Sequence, residues 1–132
     1  VAGLRRPALL LAAAFAAHNL EEGLAFPAMR DAVAARAHEL GIPWWSPPDT
    51  ATTVALLVLT VVAGAAMLWA ARARPSDTKR TAVRALAWVM LANVLLPHVP
   101  AAFALGGYTP GLATAVAVNL PLSLWALRAT RA

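Results

Sequence analysis

A histidine and two glutamates at positions 18, 21 and 22 are the side chains of this sequence best suited to chemistry. Their spacing is i, i+3 and i+4, so at about 100° per residue a helix would carry both carboxylates beside the imidazole on one face. All three lie inside an apolar stretch. On insertion scales a charge at the centre of a membrane span costs roughly 2.5 to 3.5 kcal/mol, and a chain rich in alanine and leucine had cheaper residues to hand. Such a cost points to function. Two readings of the triad follow. In the first, neighbouring carboxylates shielded from water share a proton, so Glu21 and Glu22 supply an acid and a base beside the histidine. That suits isomerisation, cyclisation or hydrolysis of a lipophilic substrate and requires no cofactor. In the second, His18, Glu22 and a further histidine, His98, hold zinc or iron, and water on the metal attacks an ester, amide or phosphate.

The elements that must position these residues are read from hydropathy. The chain is 61% hydrophobic and only 13% charged, about half the charge of a soluble domain. Three uncharged runs, Ala51 to Ala71, Ala85 to Ala104 and Pro110 to Leu127, reach the roughly 17 to 25 residues of a helical span. The first segment is continuously apolar only over Pro7 to Ala17. Its basic start and Ala-Phe-Ala imitate a secretory signal, but the continuation from Gly23 to Phe26 brings it to spanning length. The expected fold class is therefore all-α: a polytopic membrane protein with four transmembrane helices in one compact bundle over residues 1–132, with no second domain.

The cationic residues are unevenly shared. Arg5, Arg6, Arg72, Arg74, Lys79, Arg80, Arg84, Arg128 and Arg131 fall on one side of the four spans, and Arg30 and Arg36 on the other. By the positive-inside rule both termini are cytoplasmic. The net charge of +5 brackets apolar spans and forms no basic face, which argues against nucleic acid as a partner. With no cysteine, thiolate ligands and cysteine nucleophiles are excluded.

Local signals refine the layout. Ser76 or Asp77 is expected to cap the third span, Asp49 or Thr50 the second, and Thr109, before Pro110 at the first helical position, the fourth. Met29, Val33, Ala37 and Leu40 recur at helical spacing within Pro27 to Gly41, which predicts a short, separate extracytoplasmic helix lying on the membrane surface. Trp44 and Trp45 follow as interface anchors. His38 and Glu39 read as a solvated pair. The small-residue run Ala63-Gly64-Ala65-Ala66 predicts close helix contact.

Depth is estimated along each helix from its cytoplasmic arginine at about 1.5 Å per residue. His18 comes out at roughly 18 Å, Glu22 about 24 Å and His98 about 21 Å, all at one level in the outer half. Asn93 and Asn119, at about 13 to 14 Å, lie one layer nearer the middle and are candidate substrate-binding residues. Tyr108, the third candidate substrate-binding residue, is read as an interface anchor whose hydroxyl can gate the site. Pro97 and Pro100 should bend the third span beside His98, and Pro121 should loosen the fourth near Asn119. On a straight helix Asn93 and His98 would point about 140° apart, so only such a bend lets them meet one ligand.

HNLEE in the first span, Asn93 and His98 late in the third, and GGYTPGLATA followed by NLPLSLW in the fourth resemble the HXXEE family of small bacterial membrane proteins over nearly the whole chain. The resemblance implies a shared four-helix fold and marks His18, Glu21 and Glu22 as defining residues; it implies no reaction. A third class of function keeps the residues and drops the chemistry: a small binding or transport protein whose carboxylates hold a cation or relay protons. Four short spans would have to form a homo-oligomer to carry a solute, and no inverted repeat is present.

Overall fold

A computed structural model describes residues 3–42, 48–72 and 74–131. Within them lie four helices: α1 (Arg5–Glu39), α2 (Asp49–Ala71), α3 (Asp77–Leu105) and α4 (Leu112–Ala129). There is no strand among the described residues. α2, α3 and α4 are long and apolar enough to cross a membrane. α1 has the length, 35 residues, but its middle carries His18, Asn19, Glu21 and Glu22. Large apolar side chains face outward along the helices, with Val61 at 68%, Leu96 at 73% and Phe103 at 85% exposure. Small residues permit the inner contacts: Ala8, Leu11 and Ala14 of α1 meet Met67 and Ala70 of α2, Val83, Ala87 and Met90 of α3, and Ala126 of α4.

The expected separate helix after Pro27 does not form. α1 runs straight through that proline to Glu39, about 52 Å of helix. Pro27 removes only the bond to the Gly23 carbonyl, and the extension is tied down on both sides. Arg30 pairs with Asp49 at the start of α2, and the Arg36 Nε donates to the Ala104 carbonyl of α3 at 3.1 Å. Gly41, at φ +67°, then ends the helix, with Ile42 N–H donating to the Ala37 carbonyl. Trp44 and Trp45 lie outside the described residues.

Of the expected caps, only the one on α3 forms. The Ser76 hydroxyl accepts from the Lys79 amide at 3.3 Å, and replacing Ser76 with alanine should cost about 1 kcal/mol in equilibrium unfolding. For α2 the capping position is Pro48, because Asp49 has turned to Arg30. α4 starts at Leu112, later than expected, and the Thr109 hydroxyl is buried without a partner. The amides of that first turn are capped from α1, as described below. The run 63–66 also departs from expectation: Ala66 packs against the core, but Gly64 faces open space.

α3 and α4 each widen for one turn. Over Val94–His98 the Val99 N–H reaches back five residues to the Val94 carbonyl, and over Ala115–Asn119 the Leu120 N–H does the same to Ala115. In α3 the cause is the proline pair, since Pro97 and Pro100 cannot donate to Asn93 and Leu96, and an extra residue is taken into the turn. The consequence is directional. Residues five apart, about 140° apart on an α-helix, now stand on one face, and they are Asn93 and His98.

Candidate functional site

The cluster is built from three helices and the turn before α4. His18 is 1% exposed and His98 5%, with ring centroids 4.8 Å apart and planes at 88°. Asn93 joins them: its amide nitrogen lies 2.9 Å from the His18 Nε2 and 3.1 Å from the His98 Nε2. One amide group therefore donates to both imidazoles, and each ring presents an Nε2 lone pair to the same point. The Glu22 Oε2 lies 3.8 Å from the His18 Nε2. The ligating atoms of His18, Glu22 and His98 all fall within 4.8 Å of one another.

The two glutamates divide their work. Glu21 turns from Glu22 toward α4, accepting from the Ala113 amide at 3.2 Å, the Thr114 amide at 2.8 Å and the Thr114 hydroxyl at 2.5 Å. It is the cap that α4 lacks in its own sequence, and its charge sits where a helix N-terminus favours an anion. Because the Thr114 proton goes to that carboxylate, the His18 Nδ1 at 3.0 Å must donate to the Thr114 oxygen. A chain Glu21–Thr114–His18 thus sets the tautomer that leaves Nε2 free to accept.

Tyr108 donates to the Glu21 Oε1 at 2.6 Å. Burial, followed by that carboxylate, raises the Tyr108 hydroxyl above its ordinary value and keeps it protonated as the donor. Its place is therefore on Glu21, on the outer side of the cluster. Asn119 is not brought to the site: it is fully buried, and neither its amide nitrogen nor its oxygen has a partner. Asn19 faces the other way and bridges to α2, donating to the Thr60 hydroxyl at 2.7 Å. His38 and Glu39 are exposed at the far end of α1, with Glu39 paired to Arg36.

Two residues of the cluster were not singled out from sequence. Thr114 had a visible signal, the only hydroxyl in GGYTPGLATA beyond the turn itself. Gly111, in the same turn, backs both imidazoles: at φ +82°, a Cβ there would meet the Cε1 atoms of His18 and His98 at 2.8 Å each. Only glycine allows the backbone this close.

Glu22 and His98 open onto a hollow of about 230 Å³ between α1, α3 and the turn before α4, walled otherwise by Thr109 and by apolar groups such as Phe26, Val33, Ala101 and Leu105. A second hollow of about 240 Å³ shares Val33, Pro97, Ala101 and Leu105 and runs on past Ala37 and Leu40. Together they form an apolar crevice with one polar end. A larger hollow, about 610 Å³ among Arg5, Arg72 and Pro75, contains none of the cluster.

Fold and site together define a helical bundle, with no strand among the described residues, in which two imidazoles and a carboxylate converge. Residues 9–126 match the family described as a protein of unknown function with HXXEE motif, and the chain belongs to that family. His18, Glu21 and Glu22 are the residues that spell the motif here. No curated protein and no solved structure matches the chain.

Proposed function

We propose that this chain is a small integral membrane enzyme that performs acid–base chemistry on a lipophilic substrate, with all four helices crossing the bilayer of a bacterial inner membrane. The outward apolar faces of α2 and α3 support burial in lipid, since soluble monomers rarely expose contiguous apolar patches beyond a few hundred Å². Cations gather at the end that holds both termini, where Arg6 stands over the Trp125 ring and Lys79 over Trp69. That is the chemistry of a membrane interface, and by the positive-inside rule it is the cytoplasmic one.

One observation carries the reaction: the Glu22 carboxylate, 3.8 Å from an imidazole nitrogen, sits at the polar end of an apolar crevice. A substrate with one polar group and a hydrocarbon body fits this division, its polar group against Glu22 and His98 and its body along Phe26, Val33 and Leu105. Glu22 and an imidazole are then close enough to move a proton to and from the reacting group, shielded from bulk water. Isomerisation, cyclisation and hydrolysis all need that step. Glu21 is a positioning residue in this scheme, acting through Thr114 on His18.

The substrate need not be known to test this. Lipid extracts of membranes carrying the wild-type chain should differ from those carrying Glu22→Gln in at least one lipophilic species, consumed in the first and retained in the second. Removal of a general acid–base group slows its step by roughly 10² to 10⁴-fold, enough for the substrate to accumulate. Indistinguishable lipid profiles, with equal amounts of both proteins in the membrane, would sink the proposal.

A further inference from the structure

The geometry points to a divalent first-row transition ion, zinc or iron(II), held by His18, Glu22 and His98, with Asn93 completing the ligand set through its side-chain oxygen. The inference rests on the reading of this cluster as the reactive centre and adds the Lewis acid to it.

Three features of the cluster are those of a ligand set. Two buried imidazoles direct their Nε2 lone pairs at one point, marked by the Asn93 amide nitrogen 2.9 and 3.1 Å away. Two nitrogens and a carboxylate oxygen are the donors that zinc enzymes and non-haem iron sites use. In a tetrahedral zinc site the ligand atoms stand roughly 3.4 Å apart, and here all three lie within 4.8 Å. Binding an ion would draw the three together, and Glu22, 29% exposed at the mouth of the crevice, is free to move where His18 is buried.

The hold on the imidazoles is the second argument. Metal-binding imidazoles hold their other nitrogen with a hydrogen bond, often through to a carboxylate, which orients the ring and makes it a better donor. His18 has this arrangement, from Nδ1 through Thr114 to Glu21. Gly111 fixes the other side of both rings.

Asn93 distinguishes an ion from a plain hydrogen-bonded knot. An amide rotated by half a turn exchanges its nitrogen for its oxygen, so the group that donates to two lone pairs becomes a ligand once a cation sits between it and the imidazoles. Asn93→Asp therefore has opposite consequences in the two cases. Around an ion the carboxylate is a stronger ligand. Without one it faces two imidazole lone pairs as a third acceptor and the cluster is driven apart.

The test uses the full chain in detergent, stripped with chelator, then titrated with Zn²⁺, anaerobic Fe²⁺, and Co²⁺ as a coloured probe. Wild type should take up one ion per chain, and its melting temperature should rise with metal concentration. Thr114→Val should bind roughly 10 to 100-fold more weakly, the usual effect of losing an outer partner, and His98→Ala and Glu22→Ala more weakly still. Asn93→Asp should bind at least as tightly as wild type and regain its melting temperature when metal is added, whereas Asn93→Leu should not. His38→Ala, remote and exposed, should match wild type. Far-UV circular dichroism separates lost ligands from lost fold. Absence of uptake by wild type, equal uptake by folded His98→Ala, or an Asn93→Asp chain destabilised regardless of metal overturns the ion and leaves the Glu22-dependent lipid conversion standing. Metal uptake without any Glu22-dependent conversion overturns the reaction and leaves the ion.

Discussion

Gly111→Ala is expected to destabilise the protein by about 2 to 5 kcal/mol, from a left-handed backbone worth roughly 1 to 2 kcal/mol and overpacking worth roughly 1 to 3 kcal/mol. The first contribution arises because φ is +82°, and the second because the new methyl stands 2.8 Å from a carbon of each imidazole. Neither ring can give way freely, since His18 is held by Asn93 and Thr114, and His98 by Asn93. Two neighbouring glycines separate the contributions. Gly106, at φ +71°, has nothing within 4 Å of the place a Cβ would take, so its alanine variant should show the backbone cost alone. Gly107 has open space and no left-handed backbone, and its alanine variant should be near neutral. Thermal unfolding in detergent should therefore rank the variants 107, 106, 111 in increasing damage. If Gly111→Ala melts with Gly106→Ala, the imidazoles are free to move and the rigidity assigned to the cluster is wrong.

The meeting of His18, Glu22 and His98 was legible in the sequence, because depth along a helix follows from counting residues at a fixed rise. Direction around the helix was not. Counting at 100° per residue sets Asn93 and His98 apart, and the widened turn that reunites them depends on how two prolines and a doubly bonded amide settle together. The same limit hid Thr114 and Gly111, whose importance comes from what α1 and α3 bring against them. Capping was legible only where it is local. Ser76 closes its own helix, whereas Asp49 turned to Arg30 and α4 took its cap from Glu21, across more than ninety residues of chain. The break at Pro27 failed for a related reason: a single missing hydrogen bond is outweighed by ties from Arg30 and Arg36 that periodicity does not reveal.

Asn119 is instructive in the opposite sense. Depth placed it one layer below the histidines; it is fully buried, yet no hydrogen bond joins it to them. Depth is necessary for convergence and not sufficient: α4 widens over Ala115–Asn119 as α3 does over Val94–His98, yet Asn119 has no hydrogen-bond partner in the cluster. The motif itself also divides along helix faces. His18 and Glu22, four apart, stay on the crevice side, while Glu21 is rotated about 100° from Glu22 and reaches α4.

That division makes Glu21→Ala the second large prediction, expected to cost about 1.5 to 3 kcal/mol, the range for losing hydrogen bonds to a charged group that also caps a helix. Three of its four donors belong to the first turn of α4, two amides and the Thr114 hydroxyl, and alanine leaves the two amides without their side-chain acceptor. Glu21→Gln should fall between alanine and wild type, because its oxygen still accepts while its NH₂ confronts a donor. Tyr108→Phe removes only the fourth donor, on the exposed side, and should cost about 1 kcal/mol. Stability alone would not tell a cap from a catalytic acid, so the second readout is metal binding. With Glu21 gone the Thr114 proton is free to turn to the Gly111 carbonyl or to His18 itself, and in the latter case Nδ1 becomes the acceptor and Nε2 the protonated nitrogen. A protonated Nε2 cannot ligate. Folded Glu21→Gln should therefore lose metal affinity by roughly 10 to 100-fold while every ligand remains in place, and Tyr108→Phe should keep it. Equal affinity in Glu21→Gln and wild type would show that the chain through Thr114 does not set the His18 tautomer, and would reduce Glu21 to a helix cap.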